Sequence, residues 1–139
     1  MPIRTFDPAR DLDAVLALWG SAGPGIHLGR SDQPNELLKK LERDPDLFLV
    51  DEQDGCVRGA VLGGFDGRRG MVYHLAVARG QRRRGVDRRL MRELERRWRR
   101  KGCLRGYLLV THDNAAALDF YRELGWEPMD LLILGKEIR

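Results

Sequence analysis

Two short stretches of this sequence hold side chains suited to chemistry. The first is Arg82-Arg83-Arg84-Gly85-Val86-Asp87, which lies between a strand-like run and a helix-like run. A helix start offers unpaired backbone N–H groups and the positive end of the helix dipole, and a glycine lets the entering loop wrap an anion. Arginines add charge and bidentate hydrogen bonds, so the stretch suits a pyrophosphate. The same residues equally suit a plain turn with solvated arginines. The second stretch, Thr111 to Trp126, puts Asn114, Ala117 or Leu118, and Tyr121 on one helical face, with Tyr121 directed back toward the strand ends. His74 sits on the strand before the arginine loop and His112 just after the following strand. Imidazole is a side chain suited to general-base work, and both also read as ordinary hydrogen-bonded or surface histidines.

Charge is distributed as unevenly as the chemistry. Residues 79–105 contain 13 of the 25 Lys and Arg and 3 of the 21 Asp and Glu, so this window carries +10 and the remainder −6. One region is built to meet an anion, be it nucleic acid, a phosphate ligand or solvent along a helix face. Cys56 and Cys103 have no metal-ligand spacing and cannot form a disulfide framework; both read as small buried apolar residues, and no metal site is expected.

The elements that must position these residues follow from punctuation and period. Pro2 to Phe6 is β-leaning, and Asp7-Pro8 is a helix start for the stripe Leu12, Val15, Leu16, Leu18, Trp19. Ser31 or Asp32 with Pro34 repeats that signal for a second helix carrying Leu37, Leu38 and Leu41. Leu47 to Val50, the hairpin signal Asp54-Gly55, and Val57 to Leu62 give two strands, and Met71 to Val77 a further one. Val86, Leu90, Met91, Leu94 and Trp98 mark a long helix, Leu104 to Val110 a strand, Asn114 to Leu124 a helix, and Leu131 to Leu134 a last strand. The 139 residues fit one domain, with an α/β (α+β) mixed sheet covered by helices. No apolar run approaches the ~20 residues of a membrane span, and the N-terminus lacks a secretory pattern. A cytosolic protein is expected.

Together the two stretches resemble the GNAT superfamily of acetyl-CoA-dependent N-acetyltransferases, whose phosphate loop reads R/Q-x-x-G-x-G/A and whose later helix reads N-x-x-A-x-x-x-Y-x-x-x-G-F. Leu47 to Val50, Gly63 to Gly67 with Gly70, and Leu134-Gly135-Lys136 are similar to small bacterial members of the YpeA type. The resemblance implies a mostly antiparallel sheet of six to seven strands, helices on both faces, and splayed fourth and fifth strands. It implies acetyl-CoA in the gap, paired with the backbone of Leu75, Ala76 and Val77, its pyrophosphate on Arg82, Arg83, Arg84, Gly85, Val86, Asp87 and Arg88. Tyr121 matches the family's general acid, and Asn114 would fix the cofactor side of its helix. A primary amine of a small molecule or protein would attack the thioester directly, with His74 the first candidate base. Trp19, His27, Ser31 and His112 are the candidates for the acceptor side. Asp87 departs from the pattern, bringing a carboxylate to a loop meant for phosphate. A homodimer is compatible with the family.

Two rival readings remain. One keeps the fold and binds CoA without turnover. The other uses Arg88, Arg89, Arg92, Arg96, Arg97, Arg99, Arg100 and Lys101 on nucleic acid, although few aromatic residues accompany them as a stacking platform.

Overall fold

Local chemistry opens the first helix and closes two turns where the sequence places them, whereas the second helix starts at Pro34 behind Gln33 and not behind Ser31 or Asp32. Asp7 caps the first helix, its Oδ1 accepting the Ala9 N–H at 3.0 Å, with proline at the first helical position. Asp54 and Gly55 both take positive φ, 54° and 78°, which matches the two-residue turn that right-twisted strands favour. Asp66 Oδ1 accepts the N–H groups of both Arg68 and Arg69 at 2.8 Å and so closes the next turn.

The structure, a computed structural model, describes residues 3–23, 26, 28–81 and 84–139. Its elements run β1 (Ile3–Thr5), α1 (Pro8–Gly20), α2 (Pro34–Arg43), β2 (Phe48–Gln53), β3 (Cys56–Phe65), β4 (Arg69–Val77), α3 (Val86–Arg100), β5 (Arg105–Leu108) and α4 (Ala115–Glu123). Short 3-10 turns occupy Arg30–Asp32 and Arg79–Gln81. The sheet order is β1-β2-β3-β4-β5, antiparallel throughout except for the parallel pair β4–β5. No helix among the described residues is long and apolar enough to cross a membrane.

Period-two alternation along the buried strands feeds two cores, one on each face of the sheet. Phe48, Val50, Ala60, Leu62 and Ala76 meet Val15, Leu18 and Trp19 of α1 and Leu37 of α2. Leu47, Leu49, Val61 and Val72 meet Val86, Leu90, Met91, Leu94 and Trp98 of α3. Arg4 braces β1 to α1 by two hydrogen bonds to the buried Asp11, at 2.7 and 2.8 Å. Burial alone would raise the Asp11 carboxyl, but these bonds and the Asp7 N–H hold it below the usual carboxylate range.

Glycines pave the seat of helix α3 on the sheet and leave no room for a β-carbon beneath it. A β-carbon at Gly59 would stand 2.7 Å from Val86 Cγ1, at Gly63 2.7 Å from Leu94 Cδ1, at Gly70 2.6 Å and at Gly106 2.7 Å from the Trp98 ring. Gly70 and Gly106 are register partners across β4–β5, and Trp98 Nε1 donates to the Gly64 carbonyl at 3.1 Å.

Three expectations are corrected. Among the described residues the sheet has five strands, not six to seven. Leu131 to Leu134 forms no strand, and its leucines are exposed at 71, 91 and 89%. Its run of β-compatible apolar residues lacks a paired neighbour, and a strand exists only through such pairing. Finally, Cys56 is exposed at the start of β3 rather than buried, and Cys103 is partly buried. The first residue of a strand lies outside the zone both helices cover.

Alanine at Gly106 or Gly70 must push a rigid indole aside. Each change is expected to cost about 1–3 kcal/mol by overpacking, read as a lower urea midpoint at unchanged slope. Gly80→Ala, with nothing within 4 Å of the added carbon, should leave the midpoint in place.

Candidate active site

Between Val72 and His74 the β3–β4 ladder loses register. Gly63 pairs with Val72 but Leu62 pairs with His74, so Tyr73 is an extra residue and β4 bulges there. Up to Val72, β4 also pairs with β5; beyond the bulge, His74 to Val77 pairs with β3 alone. A bulge sharpens twist and bends the strand, and past Val72 the pairing of β4 with β5 stops, which leaves a gap in the hydrogen-bond ladder. Alternate residues of Tyr73–Val77 turn their N–H and C=O groups into it, and Leu75, Ala76 and Val77 lie along this free edge.

The faces of β4 are distinct at the gap. Ala76 belongs to the α1-side core and His74 meets the edge of the Trp19 ring at 4.8 Å, whereas Leu75 and Val77 pack toward α3. Tyr121 of α4 packs on that α3 side, edge-on to Phe120 and Trp126 at 5.1 and 6.2 Å. Asn114 caps α4, its Oδ1 accepting the Ala117 N–H at 3.2 Å. Burial pushes the Tyr121 phenol well above its ordinary range, and the negative charge of Asp87 pushes it the same way.

At the start of α3, Gly85 is the cap residue with φ of 78°, a left-handed conformation that favours glycine. Arg82 and Arg83 lie outside the described residues. Asp87 Oδ1 accepts the Arg88 N–H at 2.8 Å, so its carboxylate sits among the donors an anion would use. Arg88 reaches Glu123 of α4 at 3.3 Å. Arg89 was not singled out for the loop, yet its Nη1 donates to the Arg84 carbonyl at 3.1 Å while Nη2 meets the fully buried Asp51 at 3.1 Å. This strut ties the arginine loop to β2. No sequence signal marks it, because Asp51 and Arg89 are 38 positions apart.

On the other face, His74 Nε2 lies 2.8 Å from Asp32 Oδ1, and Asp32 Oδ2 accepts the Gly29 N–H at 2.8 Å. Trp19 and His74 are therefore together; Ser31 is exposed on the same short turn as Asp32. His27 lies outside the described residues. His112 is exposed on the turn between β5 and α4. Among the described residues no group of three or more His, Cys, Asp or Glu side chains is placed to hold a metal.

The basic helix is mostly engaged within the protein. Arg96 binds Glu93 at 2.7 Å, Arg97 donates to Thr5 Oγ1 and to the Asp46 carbonyl at 2.7 and 2.9 Å, and Lys101 meets Asp46 at 3.0 Å.

Residues 12–126, spanning the gap, the arginine loop and Tyr121, match the model of the acetyltransferase (GNAT) family. The chain belongs to that family. A protein of Pectobacterium atrosepticum named acetyltransferase is 38% identical over 99% of this chain and 96% of its own length. A ribosomal-protein-alanine N-acetyltransferase from Brucella melitensis superposes with a TM-score of 0.73 at 27% identity, covering 91% of this chain and 85% of that one. The fold also matches the aminoglycoside N-acetyltransferase AAC(6')-Iy, solved with the bisubstrate analogue CoA-S-monomethyl-acetylneamine, with a TM-score of 0.76 at 19% identity over 99% and 97% of the chains. By family and fold this GNAT protein is an acetyl-CoA-dependent acetyltransferase.

Removing Arg89 from the GNAT protein strands a buried carboxylate. Arg89→Ala is expected to cost roughly 3 kcal/mol, measured by urea unfolding, whereas Arg92→Ala on the exposed face should stay within about 0.5 kcal/mol of the native chain.

Proposed function

We propose that this enzyme transfers the acetyl group of acetyl-CoA to a primary amine, of a small molecule or a protein, by direct attack within a ternary complex. The observation that carries the reading is the gap in the sheet, with Tyr121 on the α3 side and His74 on the α1 side. The leaving thiolate and the incoming amine need opposite approaches to one carbonyl, and the gap provides both. Backbone groups of Leu75, Ala76 and Val77 pair with the pantetheine arm, and a main-chain N–H among them polarises the thioester carbonyl where negative charge develops. Arg82 to Arg88 hold the pyrophosphate. The start of α3 fits an anion through Gly85 and the arginines; the Asp87 carboxylate fits it poorly and lowers the affinity.

Tyr121 keeps its proton through the working pH range because burial and Asp87 oppose the phenolate. It therefore meets the departing sulfur as a hydrogen-bond and proton donor. An amine near pKa 10 is mostly ammonium at pH 7, so a proton must leave before attack, and His74 takes it. Trp19 and Ser31 border the acceptor's approach, and His27, outside the described residues, stays a candidate from the sequence. Asn114 supports the site by capping the helix that carries Tyr121.

One observation favours a second reading, a protein that binds CoA without turnover: the Asp87 carboxylate already accepts the Arg88 N–H. Calorimetric titration with acetyl-CoA and with CoA separates the two. The native chain should bind at micromolar to submillimolar levels, and Asp87→Ala should bind roughly tenfold tighter, about 1.4 kcal/mol. Tyr121→Phe should lower kcat roughly 100-fold, followed as free thiol released from acetyl-CoA, with little change in CoA affinity. Binding without thiol release on any primary amine would establish the second reading, and no binding by either chain would remove both.

A further inference from the structure

We propose that Asp32 is a positioning residue of this site, holding the His74 ring so that Nδ1 is the nitrogen that receives the acceptor's proton. The proposal rests on the reading of His74 as the base. Both side chains are nearly enclosed, His74 at 12% and Asp32 at 10% exposure, and Nε2 lies 2.8 Å from Asp32 Oδ1. The carboxylate cannot turn freely, because its Oδ2 accepts the Gly29 N–H at 2.8 Å. An ionised carboxylate only accepts hydrogen bonds, so the neutral imidazole carries its hydrogen on Nε2 and keeps its lone pair on Nδ1. Among the described residues Asp32 is the ionisable partner of the ring. Helix α1 presents the uncharged Trp19 to it, and β3 pairs Leu62 with His74 across the ladder. The turn that carries Asp32 belongs to the connection between α1 and α2 on the acceptor side, so the same segment that meets the acceptor also orients the base.

The proton count closes. The ammonium gives one proton to Nδ1, and the imidazolium so formed faces the Asp32 carboxylate. The freed nitrogen lone pair bonds to the acetyl carbon as the carbon–sulfur bond breaks and sulfur takes the electron pair. The nitrogen's surplus proton passes to water, Tyr121 gives its phenolic proton to the sulfur and regains one from water, and His74 returns its own to water, so one proton is released in all.

Asp32→Asn makes the test sharp, since the Gly29 N–H demands an oxygen and thereby turns the new amide NH2 toward His74 Nε2. A donor at Nε2 forces the ring hydrogen onto Nδ1, and the wrong tautomer in a carboxylate–histidine pair disables the base while leaving the geometry intact. The tautomer is read from proton–nitrogen multiple-bond NMR spectra, with the His74 signals assigned by their loss in His74→Gln. Native protein should show Nε2–H and Asp32→Asn should show Nδ1–H. Turnover is followed as thiol release with a polyamine, an aminoglycoside and a peptide bearing a free α-amino group. In Asp32→Asn, kcat should fall at least 100-fold, with KM for acetyl-CoA changed less than twofold, and Asp32→Glu should regain part of the rate. Nδ1–H in the native protein, or an inverted tautomer with kcat within threefold of native, overturns the proposal, and the first of these needs no variant to fold. If the native chain shows Nε2–H but releases no thiol with any amine, the function proposed above fails while the hold of Asp32 on the ring stands.

Discussion

The close seat of α3 on the sheet is the constraint on which the rest of this structure depends. Gly59, Gly63, Gly70 and Gly106 leave room for Val86, Leu94 and the Trp98 indole directly against the strands' backbone. Trp98 then satisfies its N–H on the Gly64 carbonyl, so the helix is fixed along its axis as well as in height. With the C-terminal half of α3 held this way, its first turn arrives beside the free end of β4. The same ring spans Gly70 and Gly106, holding β4 and β5 together at one end of their pair. The seat closes the sheet at that end, and the bulge at Tyr73 opens it at the other.

That opening leaves the edge of β4 from His74 to Val77 without a β5 partner. Period-two alternation normally separates what the faces hold, and here it sends His74 to one side and Leu75 to the other. The proposed direct transfer calls for a proton acceptor and a proton donor on different sides of one carbonyl, and the two faces at the parted strands carry His74 and Tyr121.

Charge in this protein is spent on internal ties more than on its surface. Arg89 bridges the loop to the buried Asp51, Arg97 reaches across to β1 and to the turn before β2, and Arg88 joins α3 to α4. A basic stripe that reads as a possible polyanion footprint is thus largely a set of struts. The carboxylate of Asp87 works in the opposite sense. It lies at the positive end of α3, where it favours the helix dipole, and it disfavours both a phosphate in the loop and ionisation of Tyr121.

Much of the fold was legible in the residues themselves. Asp7-Pro8, Asp54-Gly55 and the helical spacing of Val86, Leu90, Met91, Leu94 and Trp98 act through the chain's own neighbours, so local sequence determines them. The arginine loop and the Asn114 to Tyr121 helix are contiguous motifs, and they carry the resemblance to the family by residue type and spacing alone. What sequence could not determine depends on partners distant along the chain. Leu131 to Leu134 has strand composition but no paired edge, and the strand count fell accordingly. Asp32 reads as a helix-start residue, and only folding brings it 42 positions across to His74. Asp51 likewise meets Arg89 only through the fold, across 38 positions. Composition and period determine which elements form, because those forces act within a few residues; tertiary structure alone decides which charges meet and on which face, because those depend on register and packing summed over the whole sheet.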